Sequence, residues 1–345
     1  MINIQNIDEF IQKSEQKCQK QFEEIDKIAL YNQEKVLKAF QKNAVQARHF
    51  YGTTGYGYDD VGRDTLNRVF ADVFQCEDAI VSPMIMSGTH ALTLALFGIL
   101  RPGDTFLSIA GDLYDTLYDV IYGKNIGSLA DFNIKFDKID LKNGAFDEEN
   151  IIKTIEKTRP KMVFIQRSRG YSWRDALSID AISDIIRKIR QKNKDIIVAV
   201  DNCYGEFIDY LEPTNVGADL IVGSLIKNAG GGIAPTGAYL AGKAEVIRQI
   251  SYRFTSPSIG NEIGSYLGGY LPFYQGLFMA PITVKNAVKG SILFGQVYND
   301  LGYETLPNPG VKCNDIIRSI KFDTEDELVE VTRGVQASAP IAGDV

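Results

Sequence analysis

Three short segments carry residue types that one ligand could share. Ser87-Gly88-Thr89 precedes an Ala/Leu-rich helical pattern over 91–100. Small hydroxylic residues at a helix N-terminus offer free N–H groups and the positive end of the dipole to an anion. Alone, this is an ordinary cap, because Ser and Thr are favoured there anyway. Asp201 ends the apolar run 196–200. A buried carboxylate is costly unless a cation or donors meet it, and alone it is commonly the cap of the next element. Lys227 lies just past the run 220–222, in Ser224-Leu225-Ile226-Lys227, ahead of Gly230-Gly231-Gly232. Partial burial lowers a lysine pKa and makes the amine a nucleophile toward carbonyls, although a lone lysine is usually a surface residue.

The elements around these segments decide whether they meet. Apolar runs at 79–81, 105–109, 134–136, 162–165, 196–200 and 220–222 alternate with helical patterns such as 179–190. Continuous Val/Ile runs indicate strands covered on both faces, hence a mostly parallel α/β sheet with helices on both sides. Ligands bind such sheets at the carboxyl ends of the strands, which puts all three segments on one edge. A phosphate cradle, an anion for a pyridinium nitrogen and a lysine for an aldehyde together suit pyridoxal 5'-phosphate. Tyr114, after the run 105–109, is a candidate for stacking on its ring.

Composition narrows the alternatives. At 345 residues the chain suggests about two domains, with 45% hydrophobic and 23% charged residues as in ordinary globular proteins. Residues 1–70 read as an N-terminal helical arm with a Gly/Tyr-rich loop over 48–64, and 71–275 as the large ligand-binding domain. Residues 276–345 read as a small α+β domain, with a helix over 282–301, a strand-like run 316–322 and a helix over 325–336. A net charge of −7 argues against nucleic acid or an anionic membrane as partner. The four cysteines form no CxxC pair, and two histidines, His49 and His90, cannot make a three-histidine metal site. With no leader and no apolar run long enough to span a bilayer, the chain reads as cytoplasmic. The glycine run lacks GxGxxG spacing, which disfavours a nucleotide-binding module.

These residues resemble the fold-type I pyridoxal-phosphate enzymes of the Cys/Met metabolism group, the cystathionine β-lyases and methionine γ-lyases. Within that group the chain looks most like the methionine γ-lyase-like branch often called "aluminium resistance protein". The resemblance runs along nearly the whole chain. It rests on Thr54-Gly55-Tyr56-Gly57-Tyr58-Asp59-Asp60 with Arg63-Asp64, Ser87-Gly88-Thr89-His90-Ala91, Gln166-Arg167-Ser168-Arg169-Gly170-Tyr171, Asp201-Asn202-Cys203-Tyr204-Gly205-Glu206 and Ser224-Leu225-Ile226-Lys227-Asn228. It implies a carbon–sulfur lyase acting on a sulfur-containing amino acid by β- or γ-elimination. An aminotransferase, a decarboxylase or a non-catalytic fold relative are the alternatives.

The resemblance also assigns roles. Lys227 would carry the cofactor covalently and move the substrate Cα proton, and Asp201 would face the ring nitrogen. Ser87, Gly88, Thr89 and Ser224 would hold the phosphate, Tyr114 would stack on the ring, and Cys203 would stand where better-known relatives have Thr. Tyr56 or Tyr58, with Arg63, would reach the phosphate of a neighbouring subunit, so a homodimer or homotetramer with shared sites is expected. The small C-terminal domain is expected to be incomplete. Arg169 is a candidate for the substrate carboxylate, with an ion-paired structural arginine as the other reading.

Overall fold

The computed structural model describes residues 6–343; residues 1–5, read above for a leader, and 344–345 lie outside the described residues. Helical spacing of Cys18, Phe22, Ile25 and Ala29 folds the N-terminal region into one helix, α1 (Ile7–Lys42), capped by the Asn6 side chain, which accepts the Glu9 N–H at 3.2 Å. The Gly/Tyr-rich loop ends earlier than expected. The Asp60 carboxylate accepts the Gly62 and Arg63 N–H groups, both at 3.0 Å, and so starts α2 (Val61–Val73). This is ordinary N-cap chemistry that the surrounding tyrosines and glycines mask.

The βα alternation then runs β1 (Asp78–Ser82), α3 (Gly88–Ile99), β2 (Thr105–Ser108), α4 (Tyr118–Tyr122), β3 (Lys135–Lys138), α5 (Glu148–Thr158), β4 (Met162–Gln166), α6 (Ile179–Lys192), β5 (Ile197–Asp201) and β6 (Leu220–Ser224). One further strand was not expected, β7 (Ala238–Gly242), followed by α7 (Ala244–Phe254). The seven strands form one sheet in the order β1-β7-β6-β5-β4-β2-β3. It is parallel except for β7, which is antiparallel to both β1 and β6. Its sequence, Ala-Tyr-Leu-Ala-Gly, lacks the Ile-Val pair found in β1, β5 and β6; pairing on both sides makes it a strand.

Side chains alternate between two layers, as a pleat requires. Val81, Leu107, Val163, Val198 and Ile221 pack with α1, α2, α5 and α6. Ile80, Phe106, Phe164, Ala199 and Val222 pack with α3, α4 and α7 on the other face. The long α8 (Leu271–Asp300) joins the first layer and begins well before the expected residue 282. Pro272 sits in its first turn, where no backbone donor is needed. The boundaries expected at 70 and 275 fall inside α2 and α8. The chain ends in a two-stranded antiparallel sheet, β8 (Glu304–Leu306) with β9 (Ser319–Lys321), and α9 (Glu325–Ala337), none of whose residues is buried. No helix among the described residues is long and apolar enough to cross a membrane.

Candidate active site

The carboxyl ends of β1, β5 and β6 bring the three segments together. Ser87 caps α3, its Oγ accepting the His90 N–H at 3.1 Å, and the other first-turn N–H groups have no intrahelical acceptor. The Thr89 hydroxyl lies 2.7 Å from that of Thr116. A Cβ added to Gly88 would stand 3.5 Å from the Ser224 Cβ and 3.9 Å from the Cys203 Sγ. The helix N-terminus, the end of β6 and the turn after β5 therefore face one spot. Ser224 is buried there, and its hydroxyl has no hydrogen-bond partner among the described residues.

Asp201 lies between Gln166 of β4 and Val222 of β6 in the sheet register. Its carboxylate accepts the Cys203 N–H at 3.1 Å and is in no ion pair among the described residues. Burial pushes its pKa up, and the Cys203 N–H and Lys227 pull it back only in part. The fold thus buries a carboxylate outside any ion pair among the described residues, with Lys227 acting on it only from a distance. Lys227 Nζ lies 4.2 Å from the centre of the Tyr204 ring. The expectation of a lowered lysine pKa is not met. Burial does lower it, but Cys203, Tyr204 and Asp201 outweigh burial and hold the ammonium above the ordinary lysine value. The glycine run after Lys227 serves packing: a Cβ on Gly231 would come within 2.2 Å of the Gly276 carbonyl of α8.

Residues without an assigned role fix this turn. Arg167 is buried and donates through Nη1 to Asn202 Oδ1 and the Gly205 carbonyl, both at 2.8 Å. Asn202 donates to Glu212 at 3.0 Å, and Glu212 also accepts the Phe207 N–H at 2.9 Å. The network holds Tyr204 in the left-handed region, with φ of 68°, and its ring against Lys227. Tyr204 left no signal beyond its place in the quoted motif, since a left-handed tyrosine cannot be read from type alone.

Tyr114 stacks against Tyr171, with ring centres 5.9 Å apart at 24° and hydroxyls 3.2 Å apart. That hydrogen bond is the main reason the Tyr114 phenol is pushed up to about 12. The pair lines a cleft together with Gln166, Arg169 and Arg174. Arg169 is buried, and it donates to the Leu306 carbonyl at 3.1 Å, the Ser319 hydroxyl at 2.9 Å and the Ile317 carbonyl at 3.4 Å. In this structure Arg169 is thus taken up by acceptors of the C-terminal hairpin and is in no ion pair among the described residues. Arg63 is likewise directed into its own chain, to Gly57 O at 2.9 Å, Gly264 O at 3.3 Å and Asp64 at 2.8 Å. Tyr56 and Tyr58 point outward, 73% and 63% exposed, with ring centres 6.0 Å apart.

The methionine gamma-lyase family model matches residues 7–345. The chain belongs to that family. It is 44% identical over 326 residues, 93% of this chain and 77% of its relative, to the uncharacterized protein YnbB of Bacillus subtilis. A carbon-sulfur lyase involved in aluminum resistance from Clostridium novyi NT superposes with a TM-score of 0.94 at 48% identity, covering 98% of this chain and 81% of that one. A pyridoxal-5'-phosphate dependent protein, YhfS from Escherichia coli, has a TM-score of 0.67 at 16% identity over 94% of this chain and 83% of that one, a likeness of fold alone. The fold of this family member is fold type I, with its antiparallel strand inside a parallel sheet.

Proposed function

We propose that the chain is a pyridoxal-phosphate-dependent carbon–sulfur lyase, acting on a sulfur-containing amino acid by β- or γ-elimination. The observation that carries this reading is the buried, unpartnered hydroxyl of Ser224 beside the N-terminus of α3, next to a buried carboxylate that is in no ion pair among the described residues. Phosphate, ring nitrogen and aldehyde are the groups that this cradle, Asp201 and Lys227 are built to meet. When bound, the cofactor supplies an electron sink for the pair left at Cα.

The chain's own residues do the rest. Ser224 and the first-turn N–H groups of α3 bind and orient the phosphate. Asp201 holds a proton on the ring nitrogen, and the ion pair so formed relieves the cost of its burial. Lys227 would hold the aldehyde carbon and, as the amine set free when the substrate's own amino group takes its place there, would take the proton from Cα. Tyr204 keeps the lysine aimed at the site, and the Tyr114–Tyr171 pair forms an aromatic wall. Release of a thiol, rather than transfer of the amino group, separates this reading from an aminotransferase.

The test uses the full chain reconstituted with pyridoxal phosphate. Borohydride reduction and peptide mass spectrometry place the adduct on Lys227, and Lys227→Ala abolishes both adduct and thiol release. Sulfur-containing amino acids supplied one at a time yield thiol, ammonia and a 2-oxo acid. An adduct on another lysine, or no thiol from any of them, refutes the assignment.

The same reading includes a second copy of the chain at each site. The loop that carries Tyr56 and Tyr58 is held by its own chain: Gly264 N–H donates to Tyr56 O at 2.9 Å and the Ser265 hydroxyl to Gly55 O at 2.8 Å. A loop fixed on one side with two tyrosines turned outward suits a group on a partner.

A further inference from the structure

Glu206 has no part in the chemistry above, yet it is fully buried behind it. Its Oε1 accepts the Tyr239 hydroxyl of β7 at 2.8 Å, and its Oε2 has no hydrogen-bond partner among the described residues. A Cβ on Gly223 would stand 2.5 Å from that Oε1 and 2.6 Å from the Tyr239 hydroxyl. The bare Cα of Gly223 is therefore what makes room for the pair under β6, one residue before Ser224. The Glu206 carbonyl also accepts the Asn228 side-chain amide at 3.2 Å, next to Lys227.

The charges around Glu206 do not include a cation of its own. Asp201, Cys203 and Glu212 face it from its own turn, and Tyr239 from β7. Arg167, after β4, is 3.9 Å from Glu212, and Lys35 of α1 likewise acts on Glu212. Lys227, after β6, meets Cys203, Tyr204 and Asp201. Glu206 is the surplus acid, and a buried carboxyl without a cation keeps its proton. Burial above all, with Glu212 and Asp201 adding to it, pushes its pKa up to about 8 against the Tyr239 hydrogen bond.

We propose that Glu206 is a positioning residue for the Asp201–Lys227 pair, carried as an uncharged acid bonded to Tyr239 so that Asp201 is the one anion of this turn left for the cofactor site. Its consequence for catalysis rests on the lyase reading; its protonation does not. Once Glu206 ionises, a second carboxylate stands behind the site and adds its negative charge to that of Asp201.

Two measurements keep the two readings apart. In the cofactor-free chain, the folded state holds a proton that the unfolded state releases near the ordinary glutamate value. Stability from that proton is present below that value and is lost as pH rises through about 8. The melting temperature of Glu206→Gln should therefore gain on the wild type between about pH 4.5 and 8 and keep that lead unchanged at higher pH. In the reconstituted chain, the visible absorbance of the bound cofactor should titrate near the same pH in the wild type and not in Glu206→Gln. Tyr239→Phe removes the hydrogen bond that holds the pKa down, so both transitions should move to higher pH. A constant melting-temperature gap between the wild type and Glu206→Gln across that window overturns the proposal, as does a transition unmoved in Tyr239→Phe. A growing gap in a chain that binds no cofactor leaves the proton assignment standing and refutes the lyase reading.

Discussion

Replacing Ser224 by Ala should change the free and the cofactor-loaded protein in opposite directions. In the free chain the Ser224 hydroxyl is buried without a partner, and a buried unsatisfied polar group costs about 1–3 kcal/mol. Removing it leaves the free chain as stable as before, or more stable by up to that amount. On the proposed function the same hydroxyl would donate to a charged phosphate in the loaded chain, a bond worth about 1.5–3 kcal/mol. Its loss weakens cofactor affinity about 10- to 150-fold. Gly88→Ala is the companion variant. Its new methyl meets only ordinary contacts, 3.5 Å to the Ser224 Cβ and 3.9 Å to the Cys203 Sγ, and alanine favours the helix over glycine by up to about 1 kcal/mol. On the proposed function the methyl would stand where the phosphate approaches the α3 amides, so affinity should fall here too. Urea unfolding of the cofactor-free variants and equilibrium titration with pyridoxal phosphate measure the two effects. If Ser224→Ala destabilised the free chain by more than about 1 kcal/mol and left the affinity intact, the hydroxyl would be structural and the phosphate cradle misplaced.

Asp201→Asn should keep cofactor binding and cut turnover by orders of magnitude. Because burial raises the Asp201 pKa, the stability of the free wild-type chain falls as pH rises above about 4, so the Asn variant gains on it in that range; parallel melting curves against pH would show that Asp201 needs no cation. Gly223→Ala places a methyl 2.5 Å from Glu206 Oε1 and should cost about 1–3 kcal/mol by overpacking, a loss that urea unfolding reads and that Glu206→Ala partly relieves; a stable Gly223→Ala chain would mean the pair is free to move. Lys227→Ala chains mixed with Tyr56→Phe/Tyr58→Phe chains should regain one intact site per mixed dimer; verified mixed dimers without recovered activity would remove the shared site.

The sequence by itself determined what is local. Continuous apolar runs at 162–165 and 196–200 must be covered on both faces, so the parallel sheet and its ligand-binding edge follow from them. Asp201, Lys227 and Ser87-Gly88-Thr89 were legible because each follows directly on a strand or opens a helix, a relation set within a few residues. Tertiary structure decided whatever depends on partners far along the chain. The strand β7 exists through β1 and β6, since Ala-Tyr-Leu-Ala-Gly has little strand preference of its own. Arg169 reaches a hairpin 137 to 150 residues away, and Arg63 a carbonyl 201 residues away, so neither direction could be read from neighbouring residue types. The Lys227 pKa turned on which groups crowd its ammonium, and Glu206 became a buried acid only because β6 offers a glycine where β7 offers a tyrosine. Hydrophobic period and capping act within a turn or a strand, whereas the charge and direction of a buried polar side chain are set by the fold that closes around it.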